Sequence, residues 1–367
     1  MIGLLLVFAA LNVLFLACLL GGWRALPRRL SSVRPAAPGP PISVIIAARN
    51  EAPRLRRHLP SVLAQDWPGE WELLIVLDRC TDGSKALLED LARTHPRLRW
   101  REITATPPGW SPKKYALDQG IAAARHDRIA LTDADCELEP SWLASMDAAM
   151  GEDIELVIGL SPYARRPGLL SLLIRFETYM TALLYTGLGA LGLPYMAVGR
   201  NLGYRRSFFQ RADGFGTARG RLSGDDDLLV NRAARAGSTA IMAWAGSRSI
   251  SDAPATWVDW LRQKLRHMSA APAYATRSKL ILGAFHALHI LFYLSLMLAL
   301  CVSPQPGWAA LIWGCRAIFV AMMVLLTDWP DRHDLLLMSP VLDLLYALYV
   351  ALIGPAGMFA QPKWRGK

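Results

Sequence analysis

The sequence predicts an α/β domain with a mainly parallel sheet, set between an N-terminal and a C-terminal group of transmembrane helices. Three observations predict it. Short β-branched apolar runs alternate with amphipathic stretches between residues 42 and 131, the pattern of parallel strands joined by crossover helices. Three of these runs lead into polar residues, at Glu51, Asp78 and Asp133, and an open α/β sheet binds its ligands at the carboxyl ends of its strands. Hydrophobic residues make up 53% of the chain, concentrated in one run near the N-terminus and in runs beyond residue 280, as bilayer spans would be.

Residues 3–20 contain no charge and are long enough to cross a bilayer. Basic residues follow this run, at Arg24, Arg28, Arg29 and Arg34, and no A-x-A cleavage site is present. That order argues for an uncleaved anchor over 1–23, with its N-terminus outside and the next segment in the cytoplasm. Residues 24–41 form a basic, Pro-rich linker that can rest on anionic headgroups.

The domain expected over 42–252 begins with a buried strand, 42–48, that breaks at Arg49-Asn50-Glu51. A helix over 53–65 places Leu55, Leu59, Val62 and Leu63 on one face. Strands follow at 71–77, 99–103 and 129–131, and helices at 84–94 and 114–124. Residues 168–193 are apolar but include Arg175 and Glu177. Two central charges are costly in a span, so one or two amphipathic helices lying on the membrane are expected. Residues 253–278 predict an interfacial helix, with Trp257, Trp260, Leu261 and Leu265 at the interface and Arg262, Lys264 and Arg266 toward water or phosphate.

Within the C-terminal region, 279–367, three runs can span: 280–302, 308–327 and 336–359. Arg316 and Asp343 lie inside two of them and are expected to face each other or a polar cavity. Three spans would leave Lys363, Arg365 and Lys367 outside, against the positive-inside tendency, so a re-entrant run is the alternative.

The net charge is +10. A basic balance suits nucleic acid or an anionic membrane. No helix carries the dense basic face of a nucleic-acid reader, so membrane lipid is the expected partner and nucleic acid is not. None of the five cysteines has CxxC spacing, which argues against zinc and fits free thiols in a reducing cytosol.

Acidic residues carry the candidate chemistry. Asp133 and Asp135 close the fourth strand one residue apart and can share a hard divalent cation that also holds phosphate oxygens. Asp78 can accept hydrogen bonds from a base or a ribose, while Asp82 reads as a helix cap. Lys113 stands ahead of a helix, where it can place a point charge near a diphosphate or remain a solvated lysine. Asp225, Asp226 and Asp227 precede the apolar stretch LLVNRAARAG. Taken alone, they favour that helix's N-terminus.

SVIIAARNE, VLDRCTDGS, SPKKYALDQGI and LTDADC, in this order and spacing, resemble the GT-A domain of membrane-bound family 2 glycosyltransferases, in the cellulose synthase-like and ceramide glucosyltransferase-like group. The likeness continues to the C-terminal spans. It implies a Rossmann-like sheet that binds a nucleotide sugar through Ala47, Arg49, Glu51, Asp78, Lys113, Asp133 and Asp135. It also implies Mg²⁺ or Mn²⁺ on Asp133 and Asp135, and Asp225 as the base with Asp226 as its alternative. Asn201, within MAVGRNLGYRRSFFQRADGFG, and Gln263, Arg266 and His267 would face the acceptor or the diphosphate.

The chain departs from the family at three places. Leu77 stands where a second Asp is common, Pro112 where Gly is, and His267 where a Trp forms a sugar platform. The implied activity is inverting transfer of a sugar, most simply from a UDP-sugar, to a lipid or lipid-linked acceptor at the cytoplasmic face. A processive polysaccharide synthase is one alternative, disfavoured by the few spans and the missing Trp. An inactive scaffold or transporter is another, disfavoured by the intact acidic positions.

Overall fold

The computed structural model describes residues 2–26, 39–304 and 306–359. Most of the linker expected over 24–41, including Arg28, Arg29 and Arg34, lies outside the described residues, as do Lys363, Arg365 and Lys367.

Among the described residues the strands are β1 Ile42–Ala48, β2 Trp71–Asp78, β3 Leu98–Ile103, β4 Arg128–Leu131, β5 Cys136–Leu138, β6 Leu156–Gly159, β7 Leu202–Arg205, β8 Thr239–Met242 and β9 Ser249–Ser251. The helices are α1 Ile2–Ala25, α2 Ala52–Leu63, α3 Ser84–Ala92, α4 Pro112–Ala123, α5 Trp142–Ala149, α6 Leu169–Ala190, α7 Arg206–Arg211, α8 Asp227–Ala233, α9 Trp257–Met268, α10 Thr276–Val302, α11 Pro306–Leu326 and α12 Arg332–Phe359. They form two compact units. One comprises residues 26–164 and 192–252, the other 1–25, 165–191 and 253–367.

The first unit is built on a seven-stranded sheet of order β3-β2-β1-β4-β7-β6-β8. β1 pairs in parallel with both β2 and β4, and only β7 runs against its neighbours. The apolar runs form strands because both faces are covered, which is why they read as nearly unbroken Val, Ile and Leu. Val44, Ile46, Leu73, Ile75 and Leu77 pack with Leu55, Leu59, Val62 and Leu88 of α2 and α3. On the opposite face Gly120 of α4 meets Ile45 and Val76 so closely that a Cβ there would lie 2.7 and 3.0 Å from their side chains. Glycine thus lets α4 sit directly on the sheet. α4 joins the parallel strands β3 and β4, so it runs back along the sheet and starts at the edge where the strands end. The strand order turns outward in both directions from β1, and the crevice at such a switch point is where a doubly wound sheet takes its ligand.

The second unit is helical. α1, α10, α11 and α12 are each long and apolar enough to cross a membrane. Arg316 and Asp343 form an ion pair, as expected from two charges inside apolar runs. Asn12 Oδ1 accepts from Arg316 Nη2 at 2.9 Å, and Tyr293 donates to Asp343 Oδ2 at 2.5 Å.

Two expectations for this unit need correction. Within residues 168–193, Leu169–Ala190 form one long, largely buried helix, α6, rather than helices lying on a surface. Its charges are paired internally. Arg175 donates to Asp334 Oδ2 at 2.8 Å, and Glu177 pairs with Lys264. Lys264 therefore turns inward rather than toward water, and Trp260 beside it is buried, with its ring 5.5 Å from that of Tyr349. The apolar residues that α9 leaves exposed are Trp257, Val258 and Leu261.

Candidate active site

The ends of β1, β2 and β4 stand side by side, so the loops that follow them share one mouth. The first two loops are laced together. Asn50 Oδ1 accepts from the Thr81 N–H at 2.8 Å, and Asp82 accepts from the Ala52 and Ser84 N–H groups at 2.9 and 3.0 Å. Asp82 thus organises the starts of both following helices, close to the capping role its position suggested. Each loop holds one non-glycine residue in the left-handed region, Asn50 at φ 55° and Arg79 at φ 50°. For a bulky arginine that conformation is strained, and such strain gathers at functional sites.

Arg79 grips Asp78 from both sides, with Nε 2.7 Å from Oδ1 and Nη2 3.0 Å from Oδ2. An ion pair between a buried carboxylate and a half-buried guanidinium, rather than a lone carboxylate, therefore occupies the end of β2. Ala47 and Arg49 are half-buried where β1 ends. Glu51 pairs with Arg54 at 2.7 Å. Burial raises the pKa of Glu51, and Asp135 and Asp133 add to the rise against the pull of Arg54. The carboxylates of these loops thus face a common space.

At the end of β4, Ala134 is buried while Asp133 and Asp135 on either side stay partly open. Lys113 enters from the first turn of α4, which Pro112 starts with its missing N–H where none is needed. Its Nζ lies 3.1 Å from Asp133 and 3.0 Å from Asp225. Burial disfavours the charge, but Asp133, Asp225 and Asp226 outweigh it and hold Lys113 above the ordinary lysine range.

Gly224, at φ 86°, turns the chain so that Asp225 points at this ammonium. Burial pushes the Asp225 carboxyl up, but Lys113 and then Lys114 more than offset that and keep it below the usual range. Asp226 is placed differently. Its oxygens accept from the N–H groups of Gly199 and Asp227, at 2.5 and 2.7 Å, so it caps α8 and ties down the 199 loop. Burial and the charge of Asp225 raise it to about 6. Of the two candidate bases, only Asp225 faces Lys113 and Asp133.

Asn201 was expected at the acceptor, and the structure places it in the core instead. It is fully buried, accepts from Trp142 Nε1 at 2.9 Å, and donates to the carbonyls of Leu160 and Ser247 at 2.7 and 2.8 Å. An amide so engaged is a strut between β6, β7 and the segment before β9. Gln263, Arg266 and His267 lie on α9 of the helical unit, the first two half-buried and His267 exposed.

Two further residues belong to the site that motif reading passes over. Arg200 reaches Ser251 and the Ser161 carbonyl and lies 4.4 Å from the Tyr163 ring. Burial works against its charge, while Tyr163, Cys136, Asp135 and Asp133 raise its pKa. Lys114 is buried, its Nζ 2.6, 3.0 and 2.7 Å from the carbonyls of Ala218, Arg221 and Ser223. The signal for it was helical phase, since Lys114 shares the inward face of α4 with Leu117 and Ile121.

Among the described residues no three His, Cys, Asp or Glu side chains converge as a complete metal cage. The oxygen donors of Asp133 and Asp135 nevertheless suit a hard cation that keeps waters and takes phosphate oxygens from a bound substrate. The residues present fit Mg²⁺ or Mn²⁺ shared with a donor.

Comparisons with known proteins bear on the family and the fold. The family model described as glycosyl transferase family 2 matches residues 43–211, and that described as glycosyl transferase family group 2 matches residues 129–354. The chain is 28% identical over 118 residues to the beta-monoglucosyldiacylglycerol synthase of Synechocystis, covering 32% of this chain and 24% of that one. It is 25% identical over 122 residues to the glycosyltransferase AglE of Haloferax volcanii, covering 33% and 39%. These stretches thus span well under half of either relative. The solved mannosyltransferase PcManGT of Pyrobaculum calidifontis, in complex with GDP-Man and Mn²⁺, superposes with a TM-score of 0.58 at 22% identity, over 96% of this chain and 99% of that one. That likeness bears on the fold and shows it to be GT-A. With a family model covering more than half of its length and a GT-A sheet carrying the acidic site, the chain belongs to glycosyl transferase family 2.

Proposed function

We propose that the protein is a membrane-bound inverting glycosyltransferase. It moves a sugar from a nucleotide diphosphate donor, a UDP-sugar, to a hydroxyl of a lipid or lipid-linked acceptor at the cytoplasmic face of the plasma membrane. The observation that carries this reading is the Lys113 ammonium held between Asp133 and Asp225. It brings the donor-side carboxylate and the candidate base together at the ends of the strands. The lipid acceptor is supported by the four apolar helices and by the kinship with a monoglucosyldiacylglycerol synthase.

In this reading Glu51, Asp78 with Arg79, Ala47 and Arg49 hold the nucleoside. Asp133 and Asp135 hold Mg²⁺ or Mn²⁺, which when bound supplies Lewis-acid stabilisation of the leaving diphosphate. Lys113 brings a fixed positive charge beside the same group. Asp225 accepts the proton of the acceptor hydroxyl as its oxygen bonds to the anomeric carbon and the bond from that carbon to the diphosphate breaks. Gln263, Arg266 and His267 are assigned to the acceptor and diphosphate on their motif alone.

The test is to incubate membranes containing the protein with radiolabelled UDP-glucose, UDP-N-acetylglucosamine and GDP-mannose, and then extract the lipids. Label in a discrete lipid species is the expected result. Label in a high-molecular-mass polymer would identify a processive synthase, and no donor consumption with any divalent ion would refute an enzymatic role.

A further inference from the structure

Lys114 is 1% exposed. An ammonium has three N–H donors, and the three carbonyls of Ala218, Arg221 and Ser223 engage it at 2.6–3.0 Å. Ala218 closes the 3₁₀ turn Gly216–Ala218, and Arg221 and Ser223 lie in the irregular stretch that follows it and leads directly to Gly224 and Asp225. The same stretch is tied to the start of α4 a second time, by the Ser111 N–H donating to the Arg219 carbonyl at 2.8 Å. Two successive lysines of one helical turn therefore divide a task. Lys113 contacts the Asp225 side chain, and Lys114 holds the backbone that delivers it.

We propose that Lys114 is a positioning residue for sugar transfer, acting through the 218–223 stretch to set where Asp225 stands relative to Lys113 and Asp133. The proposal rests on the reading of Asp225 as the base. A displacement of about 1 Å in a reacting group costs on the order of 10²-fold in rate, and the Lys114 clamp restrains the chain two residues before Asp225.

The charge on Lys114 gives the proposal a second readout. Burial lowers its pKa to about 8, helped by Arg221 and opposed by Asp225, Asp227 and Asp226. A neutral amine keeps two N–H donors, so deprotonation releases one of the three carbonyls. Transfer should then fall as pH rises through about 8. The unfolded chain keeps its lysine proton to about pH 10.4, so between these values the unfolded state binds more protons and stability from this group rises with pH. Loss of rate without loss of stability separates positioning from unfolding.

The experiment compares full-length wild type, Lys114→Met, Lys114→Arg and Asp225→Asn. It follows nucleoside diphosphate release from UDP-glucose, UDP-N-acetylglucosamine and GDP-mannose with extracted membrane lipid as acceptor. Lys114→Met should lower kcat on the order of 10²-fold and leave donor KM within about twofold. Lys114→Arg, with a permanent charge, should recover most of the rate and abolish the alkaline fall. Wild-type kcat in Lys114→Met, or an unchanged alkaline fall in Lys114→Arg, overturns the proposal. The second criterion decides alone if Lys114→Met does not accumulate as folded protein. Intact kcat in Asp225→Asn refutes the base assignment itself, whereas a loss there beside wild-type kcat in Lys114→Met refutes only the positioning role.

Discussion

Asp225→Asn keeps the size and hydrogen-bonding shape of the side chain while removing its ability to accept a proton. Loss of a general base costs ~10²–10⁴-fold in rate, about 3–5 kcal/mol of transition-state stabilisation. The structure also fixes the sign of the effect on donor binding. Asp133 and Asp225, at 3.1 and 3.0 Å from the same Nζ, are at most about 6 Å apart, so their repulsion is about 3 kcal/mol or more at an effective dielectric constant of ~20. Solvent contact of both side chains screens that repulsion without changing its sign. Removing the charge of Asp225 makes the mouth less negative and leaves Lys113 to Asp133. An anionic donor should then bind as well as before or more tightly. The assay is kcat by label transfer and donor Kd by calorimetry, each on detergent-solubilised protein. Unchanged kcat with weakened donor binding would refute the assignment of Asp225 as the base.

Four other outcomes are expected. Asp78→Asn should weaken donor affinity before it affects kcat, because it breaks the bidentate pair with Arg79, and calorimetry with UDP and GDP measures this directly. EDTA should abolish transfer, Mn²⁺ or Mg²⁺ should restore it, and Asp135→Asn should cost several kcal/mol of transition-state stabilisation, on the order of a lost Lewis-acid contribution. Full activity in EDTA would contradict this. A reporter fused after residue 41 should be active in a form that works only in the cytoplasm, and periplasmic activity would reverse the topology. Asn201→Ala should destabilise the fold, at ~1–3 kcal/mol for each buried partner left unpaired, while the protein that remains folded keeps its donor and acceptor KM. A selective rise in acceptor KM would return Asn201 to the substrate.

Local pattern was enough for the elements that make the site. The apolar runs at 42–48, 71–77 and 129–131 read as buried strands, and the polar residues that follow them, Glu51, Asp78 and Asp133, were found from where the apolar residues stop. The four long apolar helices were equally legible, since length and hydropathy are local properties. The charges of Arg316 and Asp343 predicted their pairing because an isolated charge in hydrocarbon is too costly.

What the sequence by itself determined was therefore the alternation of strands and helices, the long apolar helices, and the acidic residues available at the strand ends. Tertiary structure alone decided which of those residues meet. Asp225 follows Lys113 by more than a hundred positions, and only the fold of the intervening chain makes the ammonium a bridge between Asp225 and Asp133. The same holds for Asn201, Asp226 and Lys264. Each is polar and near a motif, so sequence suggests a substrate or water, yet each is turned toward a buried partner. A buried polar group must find its hydrogen bonds within the protein, and those partners, up to about a hundred residues away, exist only once the chain has folded.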